Sequence, residues 1–372
     1  MSLPPGVKPP GSLTGPAGRV DQRLDAILSS EVEQWAAVDP DLRPPLDSLR
    51  TTLLGGGKRL RPAFCFWSYV GAGGDPEAEE VIDAGAALEF LHAAALLHDD
   101  VIDGSDRRHG VDTVHVAYSL QHRTRNWHGD SGRFGAGVAI LLGDLALAYS
   151  NRLLAGVPPA AIEVFDQVRV EVNIGQYLDV LGGAQGFVSD RAAHPGDGPT
   201  PDAIGRAHRI CRYKTAKYTV ERPLHLGAAL AAPAGLAQVR GALSAFALPI
   251  GEAFQLRDDL LGVFGDAVVT GKPVGDDLRE GKPTLLAALA HARATGPGAR
   301  LMQARFGAPD LSEREVLDLR TVIEATGARR EVEASIGRLA AAADAALTAL
   351  PVLPEARLAL GELGAFATGR DF

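Results

Sequence analysis

Cysteine is nearly missing from this chain, with two in 372 residues. Cys65 and Cys211 are too few and too far apart for a disulfide framework, and neither has a metal-ligand spacing. That scarcity fits a reducing, cytoplasmic setting. Basic residues are also in deficit: 37 Lys and Arg against 46 Asp and Glu leave a net charge of -9, which excludes the basic surface that nucleic acid demands. No stretch reaches the ~18 consecutive apolar residues of a membrane span. The nearest, Gly135 to Tyr149, is broken by Asp144, so any membrane contact is expected to be peripheral. Period-2 strand patterns and short repeats are lacking too, and no Cys-His or Ser-His pattern suggests a covalent nucleophile. What is present is 46% hydrophobic residues, enough for the large core of a soluble globular protein.

Residues 1–18 carry Pro4, Pro5, Pro9, Pro10 and Pro16 among scattered glycines and no apolar run of signal-peptide length, which predicts a disordered tail. From residue 19 onward the pattern changes. Val20, Leu24, Ile27, Leu28, Val32 and Trp35 recur at three and four, the mark of an amphipathic helix. Similar periods fill most of the remaining chain, so the class is all-α. Glycine and proline clusters break the helices, and Gly182 to Pro201 reads as a long exposed loop. Candidate residues in both halves of the chain predict one domain over 19–372.

The chain is organised around LEFLHAAALLHDDVIDGSDRRH, Leu88 to His109. If Leu88 to Asp103 is helical, at ~100° per residue, then Leu88, His92, Ala95, Asp99 and Asp103 share one face, with Leu91, Ala94 and Asp100 on its flanks. Carboxylates crowded at one end repel, so a positive partner belongs among them. Oxygen-only ligands favour Mg²⁺, which takes a few carboxylates plus substrate phosphates, and Arg107 and Arg108 follow as phosphate partners. Taken alone, the same residues also fit a solvated acidic helix end; the apolar face beneath them favours a metal-diphosphate clamp over an oily groove.

Gly55 to Pro62, GGGKRLRP, is not a nucleotide loop, because Arg59 follows the lysine where a P-loop needs Ser or Thr. It fits either a glycine cap with surface cations or flexible backbone delivering Lys58 and Arg61 to an anion. Further along, Gln176 and Asp179 are neighbours on one helical face. Lys214 and Thr215 offer a cation and a hydroxyl, whereas Lys217 reads as solvated. Gln255, Asp258 and Asp259 project to one side of a helix, and Lys272 and Lys282 lie on the loop that follows.

HDDVIDGSDRRHG resembles the first aspartate-rich motif of the trans-isoprenyl diphosphate synthases, the polyprenyl synthetase family, and most of all bacterial geranylgeranyl diphosphate synthases. FQLRDDLLGVFGD resembles the second. GGGKRLRP, GQYLDV, YKTAKY and GKPVGDDLREGKPT match further family segments in the same order, over roughly Val20 to the C-terminus. The resemblance implies a single large helical bundle with a central apolar cavity, of the isoprenoid synthase type, assembled as a cytoplasmic homodimer. It implies isopentenyl diphosphate on Lys58, Arg61, His92 and Arg108, and an allylic diphosphate on Arg107, Lys214, Thr215, Gln255, Lys272 and Lys282. Mg²⁺, three ions per site, falls to Asp99, Asp103 and Asp258; Asp100 and Asp259 complete the motifs, with Gln176 and Asp179 behind them.

The second motif departs from the family at Gly262, where a third aspartate is common. Water is expected to take that ligand place, so a carboxylate restored at 262 should be tolerated. Asp266 lies one turn further on, and Asp276 and Asp277 are expected to orient the loop lysines. In this family bulky residues four or five positions before the first aspartate close the pocket. Ala94 and Ala95 stand there, so a growing chain should first meet Leu91 or Leu88. The expected product is therefore geranylgeranyl diphosphate, ahead of longer chains and of farnesyl diphosphate, and Ala94→Phe should shorten it. The alternatives are a class I terpene cyclase, whose Asn-Ser-Glu metal motif is not legible, and a non-catalytic partner subunit.

Overall fold

A computed structural model describes residues 8–108, 110–187, 202–265 and 275–369. The chain is almost wholly helical, as the periodicity predicts. The structure divides into two compact units, each assembled from separated segments. Unit 1 comprises Met1–Val164, Pro223–Gln238 and Val352–Leu363, and unit 2 comprises Phe165–Arg222, Val239–Pro351 and Gly364–Phe372.

Unit 1 contains α1 (Gly11–Ala36), α2 (Arg43–Leu54), α3 (Leu60–Gly71), α4 (Glu79–Asp103), α5 (Val114–Thr124) and α6 (Ser131–Leu153). Helix α1 starts earlier than the predicted boundary of a disordered tail at residue 18, despite Pro16 in its interior. Proline cannot donate to the carbonyl four residues back. That carbonyl, of Ser12, instead accepts from Trp67 Nε1 at 2.6 Å, and Leu13, Val20, Leu24 and Leu28 are buried along the same helix. Helix α4 is the interior element. Its residues from Val81 to Leu91 are buried except Asp83, and its last turn opens outward. Glycines let neighbours approach: a Cβ on Gly143 of α6 would meet His98 Nε2 at 2.1 Å, and one on Gly135 would meet the His115 carbonyl oxygen at 2.0 Å.

Two helices pass a test of length and composition for a membrane span, a test that the buried core helices of a folded bundle also pass. Both α4 and α6 are long and apolar enough by length and composition, with 72% and 39% of their most apolar windows buried in the fold.

Unit 2 holds most of α7 (Pro159–Gln185), then α8 (Ala203–Ile210), a π-helical stretch (Cys211–Glu221) that leads into α9 (Arg222–Ala231), and most of α10 (Leu236–Phe264). It continues through α11 (Asp276–Glu280), α12 (Leu285–Arg293), α13 (Gly296–Arg305), α14 (Glu313–Ala325) and α15 (Ala328–Thr348) to the end of α16 (Pro354–Thr368). Leu256, Leu260, Leu286, Leu319, Ile323 and Val332 belong to its core. The π-helix is clasped between two glycines. A Cβ on Gly175 of α7 would lie 2.3 Å from the Lys214 backbone nitrogen, and one on Gly251 of α10 would lie 2.5 Å from Ala216 Cα. Only residues without side chains allow this approach, which fixes the stretch carrying Lys214 and Thr215. Of the predicted loop at 182–201, the first residues complete α7, and 188–201 lie outside the described residues.

Candidate active site

In unit 1 the loop before α3 adopts an unusual backbone. Gly56 and Gly57 have φ of 129° and 138°, and Arg59 sits in the left-handed region at φ 50°, a conformation that costs a non-glycine residue about 1–2 kcal/mol. Three hydrogen bonds hold it: Arg59 Nε donates to Asp21 Oδ1 at 2.7 Å, Nη1 to Glu89 Oε2 at 2.5 Å, and Nη2 to the Leu53 carbonyl at 2.5 Å. Sequence reasoning assigned Arg59 no role. Its guanidinium is the anchor that fixes the loop bearing Lys58 and Arg61 against α1, α2 and α4.

Helix α4 ends at Gly104, φ 65°, with the Ser105 amide donating to the Asp100 carbonyl. A two-residue hairpin follows, pairing Arg107 with Asp112 and Arg108 with Val111, and Thr113 Oγ1 ties it back to the Ser105 carbonyl at 2.8 Å. The hairpin returns Arg108 to the helix. Its Nε and Nη2 donate to Asp100 Oδ1 at 2.9 and 2.6 Å, and Nη2 stands 3.7 Å from Asp99 Oδ2. Burial opposes the charge on Arg108, but Asp100, Asp99 and Asp103 outweigh it and raise its pKa. The three aspartates therefore divide: Asp100 is buried against Arg108, while Asp99 is half-buried and Asp103 exposed, one turn apart. Arg107 is exposed, 3.6 Å from Asp112.

The accessible residues of α4 run through His92, Ala95, Leu96, Asp99 and Asp103. Ala94, Leu91 and Leu88 are 1%, 2% and 0% exposed. Of the four chain-length candidates, Ala95 alone is partly exposed, and Ala94→Phe would force a ring into packed core.

In unit 2, Lys214 Nζ donates to Asp179 Oδ2 at 2.5 Å, Thr215 Oγ1 to Gln255 Oε1 at 2.5 Å, and Gln255 Nε2 to Asp259 Oδ1 at 2.6 Å. The π-helix, α7 and α10 are joined by these bonds. Burial, with Asp277 and Asp258 facing it, pushes the Asp259 carboxyl up to about 8, against the opposing pull of Gln255 and Lys282. Asp258 is half-buried. Lys282 Nζ lies 2.8 Å from Glu280 Oε2 and 3.3 Å from Asp277 Oδ1. Lys272 and Asp266 lie outside the described residues.

One expectation changes here. Lys217 is not solvated: its Nζ donates to Glu171 Oε1 at 2.9 Å, in a buried cluster where Arg222 Nε also donates to Glu171 Oε2 at 2.7 Å. A Cβ built at Gly262 would stand 2.0 Å from Asp277 Oδ2.

Among the described residues, no three His, Cys, Asp or Glu side chains gather closely enough to hold an ion alone. Asp99 and Asp103, half-buried and exposed oxygen donors one helical turn apart, fit the partial protein share that Mg²⁺ takes when phosphate and water supply the rest.

A bundle of helices carrying two aspartate-rich motifs, with basic residues beside each, defines the isoprenyl diphosphate synthase class. A polyprenyl synthetase profile matches residues 44–322. The chain belongs to that family and is a prenyltransferase. It is 31% identical over 323 residues to octaprenyl diphosphate synthase of Escherichia coli, spanning 85% of this chain and 87% of the relative. It is 30% identical over 329 residues to a farnesyl diphosphate synthase of Mycobacterium tuberculosis, spanning 84% and 82%. Geranylgeranyl pyrophosphate synthase of Corynebacterium glutamicum, solved with isoprenyl diphosphate and magnesium, superposes with a TM-score of 0.85 at 38% identity, covering 96% of this chain and 99% of that one. The relatives make products of several lengths.

Proposed function

We propose that this enzyme condenses isopentenyl diphosphate with an allylic diphosphate to yield geranylgeranyl diphosphate. The observation that carries the reading is the division of labour among the α4 carboxylates. Asp100 holds Arg108 in place, and Asp99 and Asp103 remain presented on the accessible face. Asp99, Asp103 and Asp258 would hold Mg²⁺, three ions by family resemblance, and the chemistry the metal would supply there is neutralisation of charge on the diphosphate leaving group.

Lys58, Arg61, His92 and Arg108 bind isopentenyl diphosphate. Arg107, Lys214, Thr215, Gln255, Lys272 and Lys282 bind the allylic diphosphate. By the family resemblance Lys214 and Thr215 lie close to the developing cation, and their bonds to Asp179 and Gln255 in the clasped π-helix support a preorganised role. The isopentenyl double bond attacks the allylic carbon, diphosphate leaves, and a proton is lost to that diphosphate, so no side chain of shifted pKa is required as base. Apolar residues exclude water that would quench the cation.

The small residue at Ala95, on the accessible side of α4, supports a product longer than farnesyl diphosphate. Exposed apolar residues on α6 (Ile140, Leu141) and α7 (Ile174, Tyr177, Val180) support a homodimer. Two free, buried thiols accord with a cytoplasmic location. The test is incubation with isopentenyl diphosphate and five-, ten- and fifteen-carbon starters, followed by sizing of the dephosphorylated products. Twenty carbons is the expected end point; fifteen, or release of a cyclised hydrocarbon without isopentenyl diphosphate, overturns the reading.

A further inference from the structure

Helix α7 meets the π-helical stretch at residues spaced four apart. Four residues advance an α-helix by ~6 Å with only ~40° of rotation, so Glu171, Gly175 and Asp179 form one stripe along α7. All three face the same partner. Asp179 Oδ2 accepts from Lys214 Nζ at 2.5 Å, a Cβ on Gly175 would lie 2.3 Å from the Lys214 backbone nitrogen, and Glu171 Oε1 accepts from Lys217 Nζ at 2.9 Å. We propose that Glu171 is a positioning residue for Lys214 and Thr215: through Lys217 and Arg222 it sets the rotation of the π-helix about its own axis, and so the aim of those two side chains at the allylic diphosphate.

The other two contacts leave that rotation open. Gly175 offers no side chain, and the Asp179 contact is made by the tip of a flexible lysine. Glu171 closes it. Besides Lys217, its two oxygens accept from Arg222 Nε and Nη2, each at 2.7 Å, a two-pronged contact that fixes the plane of the guanidinium. Lys217 lies within the π-helix and Arg222 immediately after it, so one carboxylate grips the stretch both from inside and from its end. Glu221 balances the charge: its Oε2 stands 3.4 Å from Lys217 Nζ and 3.5 Å from Arg222 Nη1, and its Oε1 accepts from Ser244 Oγ of α10 at 2.6 Å. Glu171, Glu221 and Arg222 are 9%, 4% and 3% exposed. Burial opposes the charge on Glu171, but Arg222 and Lys217 outweigh it and hold the carboxyl below its ordinary 4.5. Apolar side chains of the same volume often match or exceed a buried ion cluster in stability, so what this cluster supplies is fixed direction.

The kinetic half of this proposal rests on the prenyl-transfer reading; the hold on the π-helix does not. Glu171→Gln, Lys217→Met and Lys217→Arg are compared with Leu319→Ala, which opens a cavity in the core of unit 2. Each is measured for thermal midpoint, for amide hydrogen exchange in peptides covering 211–221, and for kcat and KM with isopentenyl and allylic diphosphates. Glu171→Gln keeps the volume and discards the charge; it and Lys217→Met are expected to speed exchange in 211–221 about tenfold. They should also lower kcat about tenfold and raise the allylic KM several-fold, because a misaimed pair costs rate as well as binding, with the isopentenyl KM within about twofold of wild type. Lys217→Arg retains the cation and should return exchange and kinetics toward wild type. Leu319→Ala should lower the midpoint at least as far and leave kcat and both KM values in place. Wild-type exchange in both Glu171→Gln and Lys217→Met overturns the hold. Faster exchange with unchanged kcat and allylic KM, or the same kinetic loss in Leu319→Ala, overturns the positioning of Lys214 and Thr215. A wild-type protein without prenyl transfer sinks the functional reading, and exchange still decides the hold.

Discussion

Arg59 Nη1 donates to Glu89 Oε2 at 2.5 Å, joining the glycine-rich loop to the middle of α4 with side chains only 6% and 2% exposed. Removing one partner of a buried pair leaves the other charge stranded, at a cost of about 3–5 kcal/mol. Arg59→Ala should therefore lower the free energy of urea unfolding by that order. Asp21→Ala, which touches the same guanidinium from a carboxylate 47% exposed, should cost about 1 kcal/mol or less. Equal losses in the two variants would place the anchor elsewhere.

The α4 aspartates should separate kinetically. Asp99→Ala or Asp103→Ala is expected to lower turnover on the order of 10² or more, the scale of losing a principal electrostatic contact, and activity should collapse when divalent metal is chelated. Asp100→Ala instead releases Arg108, so it should raise the KM for isopentenyl diphosphate while leaving the Mg²⁺ requirement in place. Near-normal turnover in folded Asp99→Ala and Asp103→Ala proteins would remove the clamp.

Product length offers a test at neighbouring positions. Ala95→Phe extends from the accessible side of α4 and should shorten the product toward fifteen carbons with an unchanged thermal midpoint. Ala94→Phe overpacks a site 1% exposed, so its main effect should be a stability loss of about 1–3 kcal/mol. If Ala95→Phe leaves the product spectrum untouched, the chain-length floor lies on another element.

His291 carries a pH dependence. Its ring stacks on Phe187 at 4.4 Å and meets Phe306 edge-on at 4.9 Å, and burial lowers its pKa from the ordinary 6.5, only partly offset by its bond to the Ala287 carbonyl. The unfolded chain thus takes up this proton more readily than the folded one. The contribution is fully present above pH 6.5 and is lost as pH falls through the folded pKa. Stability of the wild-type protein should drop more steeply between pH 7 and 5 than that of His291→Phe. Parallel pH profiles would show that this imidazole is not responsible.

The helical class and the α4 face were legible because both depend on local spacing: Asp99 and Asp103 lie four apart whatever surrounds them. The loop cations Lys58 and Arg61 were legible by resemblance, whereas Arg59 was hidden because its partners lie on three other segments. Ala94 and Ala95 look alike in sequence, and only packing tells which is partly exposed. The helical start at Gly11 was missed because Pro16 argues against it locally, and the remedy is an indole 55 residues away. Asp277 could not be matched with Gly262 from spacing, since the two meet only after the chain turns back at α11.

The π-helical stretch Cys211–Glu221 is wound with i→i+5 hydrogen bonds, so its length as well as its composition sets the geometry. Gly175 and Gly251 grip it at Lys214 and Ala216, and Arg222 meets Glu171 just past its end. Loss of one residue inside the stretch would rotate everything after it by one residue's helical step relative to that grip, swinging Arg222 away from Glu171. Evolutionary drift here is therefore open to substitution and closed to insertion or deletion. Among descendants of this chain, the number of residues between α7 and α8 can change, but the count from Cys211 to Arg222 should stay fixed.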